Sequence, residues 1–375
     1  MGNHALLSAS SSHRWLNCPP SARLCEGYDD KGSNFAAEGS DTHSLYEFKL
    51  RKALGMEAKD PTEDLTWYDA EMDEAADGYA AFVMELVAEA KKTCSDPVIL
   101  IEQRLDYSKY VQAGFGTGDC VLIADGTLHI VDFKYGRSVL VEAEDTPQMK
   151  LYALGALEIF DCLYDIDTVS MTIYQPRRAN VSTFTLSRQE LLDWAETVLV
   201  PTAELAFAGD GEYHCGEWCQ FCKAKADCRE RARANMELAR YEFRQPPLLT
   251  DEEVEEILGK LVSLMDWASD IKDYALQAAI SGKHWSGYKP VEGRANRRYT
   301  DENAVVAAVK AAGYDPYDEP KLLGVTAMTT LLGRKQFNDI LGGLITKPQG
   351  KPTLVPESDK RPAMTTILDD FKEEN

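Results

Sequence analysis

The feature that most constrains this chain is a hairpin spelled out by residues 119–133. Two β-prone runs, Asp119 to Ala124 and Thr127 to Phe133, flank the dipeptide Asp125-Gly126. Asp-Gly between such runs is a strong two-residue turn signal, because both central positions must accept positive φ. Antiparallel pairing across that turn sets Asp119 against Asp132. Side chains alternate along a strand, so Asp132 and Lys134 leave on one side and Phe133 on the other. Whatever the fold, two carboxylates and an ammonium gather at one end of an apolar hairpin.

The surroundings of the hairpin follow from periodicity. Helical spacing of Ala, Leu, Tyr and Phe predicts helices over Phe35 to Leu54 and Tyr68 to Lys92, and Pro97 to Leu105 reads as a strand. Pro147 suits the first turn of a helix running to about Phe160. Thr168 to Gln175 is a further β-prone run, stopped by Pro176. A helix from Arg188 to about Phe207, a Cys-rich loop and a helix from Arg229 to Tyr241 complete residues 1–245. A boundary is expected near Gln245-Pro246-Pro247, opening a mainly helical region, 246–375, whose first helix is Asp251 to Ile280 with an acidic first turn. Thr346 to Pro362, rich in Pro and Lys, reads as extended. A length of 375 residues accommodates one core of about 200 to 250 residues plus a smaller unit.

Composition narrows the class. With 44% hydrophobic and 27% charged residues the chain reads as globular rather than disordered. No apolar run approaches the roughly 18 to 20 residues that span a bilayer, and Met1 to Ser12 lacks the features of a signal peptide. The expectation is a cytoplasmic protein without membrane contact. A formal charge of -22 excludes coating of nucleic acid by bulk attraction, so any contact with DNA must be local. Bound cations can offset clustered carboxylates in such a chain.

The hairpin end suits phosphodiester hydrolysis, which needs a hard cation held by oxygen ligands and a positive group near the attacking water or the developing charge. Asp132 can supply a ligand and Lys134 the positive group. Asp119, in Gly116-Thr117-Gly118-Asp119, opens the partner strand as a second ligand. His43, on the first helix, can add an imidazole, and Gln148 and Tyr152 share a helix face at i, i+4. Glu102 and Glu38 read either as support behind the ligands or as solvated carboxylates.

The series of His, G-x-D, D-x-K and Q-x-x-x-Y resembles the motif series of RecB-like nucleases in the PD-(D/E)XK superfamily, over residues 8–240. The resemblance implies an α/β restriction-endonuclease-like core, a mixed central sheet flanked by helices, and metal-dependent deoxyribonuclease activity, exonuclease rather than endonuclease. It implies Mg2+ or Mn2+ bound by His43, Asp119, Asp132 and the Phe133 carbonyl. Lys134 would orient or activate water, with Gln148 and Tyr152 contacting DNA or steadying Lys134. Asp132 stands where many relatives carry Glu, which the superfamily pattern permits.

Of nine cysteines, Cys215, Cys219, Cys222 and Cys228 crowd together, which suggests metal rather than disulfides. Local spacing allows a four-thiolate zinc site from those four. The C-x2-C-x5-C run also resembles the iron-sulfur branch of the same nucleases, including AddB-type and CRISPR-adaptation exonucleases, where one early cysteine joins three late ones. That implies a 4Fe-4S cluster on Cys18, Cys219, Cys222 and Cys228, stapling the N-terminal segment to the end of the domain. Cys25, Cys94, Cys120 and Cys162 read as buried or incidental. The Trp15-Leu16-Asn17-Cys18-Pro19 start is similar to phage and prophage members of this branch. It implies a role in DNA recombination or repair, in bacterial or phage-infected cytosol, beside a single-strand annealing recombinase or a helicase. The chain carries no helicase motif of its own.

One basic and aromatic stretch stands out in the C-terminal third: Lys283, Trp285 and Lys289, followed by Arg294, Arg297 and Arg298. It reads as a track for single-stranded DNA, or as a solvated turn packing its aromatics. Two other functions compete with the nuclease: a non-catalytic module binding DNA ends, which intact Asp119, Asp132 and Lys134 argue against, and a zinc-ribbon adaptor, which leaves the motif series unexplained.

Overall fold

The computed structural model describes residues 5–28, 34–237 and 249–290. At its centre strand β2 (Phe115–Ala124) turns through Asp125 and Gly126, at φ of 52° and 73°, into β3 (Thr127–Phe133). Those angles are what the Asp-Gly dipeptide supplies. Pairs run from Ala124↔Thr127 to Cys120↔Val131, and one further step of the same register sets Asp119 opposite Asp132. Strand β1 (Val98–Asp106) pairs antiparallel with β2, β4 (Thr168–Gln175) lies parallel to β3, and β5 (Asn180–Ser187) closes the far edge antiparallel to β4. The result is a five-stranded mixed sheet in the order β1-β2-β3-β4-β5.

Strand β5 is a correction, since the sequence reading passes from Pro176 straight to a helix at Arg188. Its signal is the alternation of Val181, Thr183 and Thr185, all exposed, with Ser182, Phe184 and Leu186, which are half-buried. One covered face is what an edge strand of this kind needs.

Helices cover both faces. α3 (Asn34–Ala53) and α4 (Ala70–Thr93) lie on one, where Tyr46, Met72 and Tyr79 pack with Cys120, Leu122, Val131 and Phe133. α5 (Pro147–Phe160) lies on the other, where Met149 and Leu154 meet Val121, Ile123, Leu128 and Ile130. The two groups are alternate residues of the same strands, the period of two that fixed register demands. Gly155 of α5 sits tight against β1: a Cβ there would lie 2.9 Å from Leu105 Cβ and 3.2 Å from its backbone carbon. The helix expected over 188–207 is interrupted. α6 (Arg188–Trp194) passes through a π turn, Ala195–Leu199, into α7 (Val200–Ala208), and Pro201, which has no N–H, follows that turn.

The N-terminal segment forms α1 (Ser12–Asn17) and α2 (Ser21–Leu24). Trp15 is fully buried with its indole N–H on Ser8 O, and Arg23 Nε donates to Phe207 O at 2.7 Å, tying α2 to the end of α7. Past the Cys-rich loop, α8 (Arg229–Met236) packs on α9 (Asp251–Ile280), where Asp270 pairs with Arg231 and, at 2.8 Å, with Lys225. These bonds hold α9 to the Cys-rich loop and α8, within one compact unit of residues 1–291. Residues 238–248, including the Pro246-Pro247 pair, and residues 291–375 lie outside the described residues. No described helix is long and apolar enough to cross a membrane.

Candidate functional site

The open end of the β2–β3 hairpin collects the charged residues that the apolar faces exclude. Asp119 and Asp132 are 4% and 2% exposed. Asp119 Oδ2 accepts from the Phe133 N–H at 2.7 Å, and Oδ1 lies 3.5 Å from His43 Nδ1. That ring nitrogen is also 2.8 Å from the Tyr46 hydroxyl and 3.6 Å from Glu102 Oε1, and the Tyr46 hydroxyl donates to Glu102. Among the described residues, His43, Glu102 and Asp119 are the one group of three or more metal-ligating side chains within 4.8 Å of one another. One imidazole with two carboxylates is a donor set for Mg2+ or Mn2+.

The sequence reading set Glu102 behind the ligands or in solvent; the structure brings it among the side chains that could hold a metal. Its own φ is 51°, a left-handed residue inside β1. The pairs Ile101↔Cys120 and Gln103↔Gly118 bracket it, while Glu102 itself is left out of the pairing with β2. Such a conformation costs on the order of 1–3 kcal/mol in a non-glycine residue and persists where the surroundings impose it. Tyr46 was missed altogether, although its i+3 spacing from His43 on α3 carried the signal. Glu38 stands apart, paired with Arg177 Nη1 at 2.7 Å.

Asp132 is held by the other predicted residues. Its Oδ2 is 2.9 Å from Lys134 Nζ, and its Oδ1 accepts from Gln148 Nε2 at 3.2 Å. Gln148 Oε1 accepts from Lys134 Nζ at 3.1 Å, and Nε2 also donates to the Tyr152 hydroxyl at 3.1 Å. The amide thus fixes ammonium, carboxylate and phenol together. Gly116 makes room for this: a Cβ on it would fall 2.7 Å from the Tyr152 ring. Asp132 Oδ2 is fully buried with the Lys134 ammonium as its charged neighbour, which leaves lone-pair capacity for a further cation. The Phe133 carbonyl belongs to the last residue of β3, between Asp132 and Lys134.

The electrostatics describe a site short of positive charge. Burial, and then the Asp132 carboxylate, push Asp119 up to about 7, with His43 offsetting part of the rise. Burial works against charge on His43 and on Lys134, but Asp119 and Glu102 raise the first and Asp132 and Asp119 raise the second. Lys134 is therefore an ammonium at neutral pH. Tyr152, raised far above a free phenol by burial and Asp132, stays neutral.

Several cysteines gather at a second place in the fold. Cys18, Cys219, Cys222 and Cys228 line one pocket together with Arg14 and Arg231, between the α1–α2 segment and the Cys-rich loop. Cys215 is not on that wall. It donates to Cys219, whose thiol is lowered to about 6 by that bond. The Gly216 N–H also points at Cys219 Sγ, at 3.5 Å. Soft thiol donors, nearby guanidinium groups and an amide aimed at sulfur suit an anionic thiolate-held centre. Cys25 is buried, as one of the two readings had it, and its sulfur lies 3.7 Å from Cys222 Sγ. Cys120 is buried in the sheet core, Cys94 half-buried and Cys162 exposed.

The basic stretch after α9 folds back on the helix. Lys283 Nζ sits 4.2 Å over the Trp285 ring, whose N–H donates to Ala275 O at 2.8 Å. Lys289 is exposed, and Arg294, Arg297 and Arg298 lie outside the described residues.

Residues 4–362 match a family described as "Protein of unknown function (DUF2800)". Among solved structures, a "Putative exonuclease" from Eubacterium rectale is 13% identical, with 66% of this chain and 92% of that chain covered at a TM-score of 0.34. SSO0001 is 14% identical, with 50% of this chain and 96% of that chain covered at a TM-score of 0.22.

Proposed function

The chain belongs to the DUF2800 family, and we propose that it is a metal-dependent deoxyribonuclease of the PD-(D/E)XK type. The observation that supports this best is the joining of two halves at one hairpin end: the His43, Glu102, Asp119 group, and the Asp132, Lys134, Gln148, Tyr152 set. His43, Glu102 and Asp119 would hold a Mg2+ or Mn2+ ion, with Asp132 as a further carboxylate nearby, and the ion would supply Lewis acidity for hydrolysis of a phosphodiester. Lys134 presents a permanent positive charge to the scissile phosphate or the attacking water. Gln148 holds its ammonium in place. Tyr152, kept neutral, donates a hydrogen bond rather than adding charge.

Cleavage of end-labelled single- and double-stranded DNA in Mn2+ tests the proposal. Wild type should cut, and Lys134→Ala should lose about 100-fold or more of the rate, as removal of a group stabilising developing charge does. Equal rates for the two proteins would remove the assignment. The finer reading is an exonuclease working on DNA ends in phage or prophage recombination or repair, in the cytoplasm, beside an annealing recombinase or a helicase.

For the cysteine centre the proposed occupant is a 4Fe-4S cluster on Cys18, Cys219, Cys222 and Cys228. Supporting it over zinc is that the pocket takes in Cys18 and leaves Cys215 outside. Protein purified without oxygen should absorb near 400 nm and contain about four irons per chain. Colourless, zinc-loaded protein would favour the alternative.

A further inference from the structure

We propose that Arg137 and Arg178, with Arg177 at their base, form a phosphate-binding strip that holds a DNA strand beside the candidate catalytic site, and that Glu71 occupies this strip until phosphate displaces it. The identity of the ligand rests on the nuclease reading; the strip itself rests on geometry. Arg137 lies three residues beyond Lys134, and Arg177 and Arg178 follow directly on β4, whose Tyr174 carbonyl accepts from the Lys134 N–H at 2.9 Å. All three arginines therefore leave the sheet at the end that carries Lys134.

Their scaffold is fixed. Gln175, 1% exposed, donates to Gly136 O and Val139 O, each at 2.8 Å, and accepts from the Val141 N–H at 3.2 Å, pinning the segment that carries Arg137. Arg178 Nη1 donates to Arg137 O at 3.3 Å, and the Arg177 guanidinium stacks 3.5 Å over the Tyr135 ring. Preorganised guanidinium groups lose little freedom on binding, and their planar forks match phosphate oxygens.

Two carboxylates meet the strip, with different standing. Glu38 and Arg177 are 21% and 10% exposed and 2.7 Å apart, a built-in pair that ties the start of α3 to the end of β4. Glu71, from the first turn of α4, is half-exposed. It pairs with Arg137 and reaches Arg177 at 3.5 Å, where Arg177 Nε makes no hydrogen bond. Among the described residues Arg178 forms no ion pair. Glu71 is thus a solvent-facing anion that accepts from both guanidinium groups, the place a phosphate of the strand would take. In a chain of net charge -22 it also keeps the strip closed to weaker anions.

The test uses the full chain with Lys134→Ala, in Mn2+, and a fluorescein-labelled oligothymidylate read by anisotropy over a salt series. Adding Arg137→Ala and Arg178→Ala should weaken binding about fivefold each near 0.1 M salt and reduce the salt slope by about 0.7 for each lost contact. Glu71→Gln should tighten binding about threefold, the worth of an exposed pair. Cleavage by the same variants with Lys134 intact separates the two proposals. Cleavage by wild type, with arginine variants that bind as tightly and as salt-dependently as their parent, overturns the strip alone. Binding that follows the predicted slopes without any cleavage supports the strip and overturns the nuclease reading. Failure of the Lys134→Ala parent to bind the oligonucleotide overturns the strip, and unchanged or weaker binding by Glu71→Gln overturns the role of Glu71.

Discussion

Replacing Asp119 by Asn should stabilise the metal-free protein at pH 8 while removing most of its response to Mn2+. Asp119 is held near 7 in the folded chain by burial and by Asp132, against about 3.9 in an unfolded one. Between those values the folded chain keeps a proton that the unfolded chain has released, so stability falls as pH rises. The slope is about 1.4 kcal/mol per pH unit, giving about 3 kcal/mol between pH 5 and pH 7 and about 4 kcal/mol in all. An Asn at this position keeps an oxygen for the Phe133 N–H but gives up the charge 3.5 Å from His43. His43, itself raised, contributes stability that is also lost as pH rises, so neutralising its partner returns part of the gain. A net gain of about 2 kcal/mol at pH 8, shrinking toward zero near pH 5, is the expectation. Urea unfolding of both proteins in EDTA at the two pH values measures it, and the difference between them cancels thiols that titrate in the same window. Adding Mn2+ should then stabilise wild type by mass action and the variant far less. A variant less stable than wild type at pH 8 in EDTA, or a difference that ignores pH, would refute the reasoning that Asp119 is a carboxylate strained in wait for a cation.

Three further substitutions probe the site and the fold. Tyr46→Phe removes the hydroxyl that meets both His43 and Glu102 and should weaken Mn2+ binding by about tenfold in titration calorimetry, with unfolding little changed. Gly155→Ala drives a methyl to 2.9 Å from Leu105 Cβ and should cost about 1–3 kcal/mol in urea unfolding despite the better helix propensity of Ala. Gly39→Ala, on α3 where nothing lies within 4 Å of a Cβ, should stabilise by about 0.5–1 kcal/mol.

What the sequence disclosed about the site follows from which forces are local. Asp119, Asp132 and Lys134 were legible because strand alternation and an Asp-Gly turn determine their relative positions within sixteen consecutive residues. Gln148 and Tyr152 were legible as a face of α5, and their bonds to Lys134 and Asp132 follow once that helix covers the hairpin. Glu102 was not, because a left-handed residue within β1 breaks the alternation from which strand faces are read. Cys25 reaches Cys222 across 197 residues of chain, through the docking of α2 on the Cys-rich loop, which no local pattern encodes. Asp270, placed mid-helix like any solvated acid in the sequence, holds α9 to Arg231 and Lys225, a pairing that no local pattern encodes.

The acidity of the chain deserves a different interpretation in light of these positions. A net charge of -22 argues against nucleic acid as a partner only if charge is spread evenly. Here three carboxylates, Glu102, Asp119 and Asp132, converge on one hairpin end with a single lysine ammonium among them, and burial forces one of the three toward protonation. Such a group gains most from a divalent cation, which lets every carboxylate ionise and leaves Lys134 free to face a phosphate. A few residues further along the same edge, guanidinium groups are concentrated on a scaffold pinned by Gln175. On the proposed function the surplus of acid would do two things at once: make a cation the natural complement of the site, and restrict favourable contact with a DNA strand to the short edge where the arginines stand.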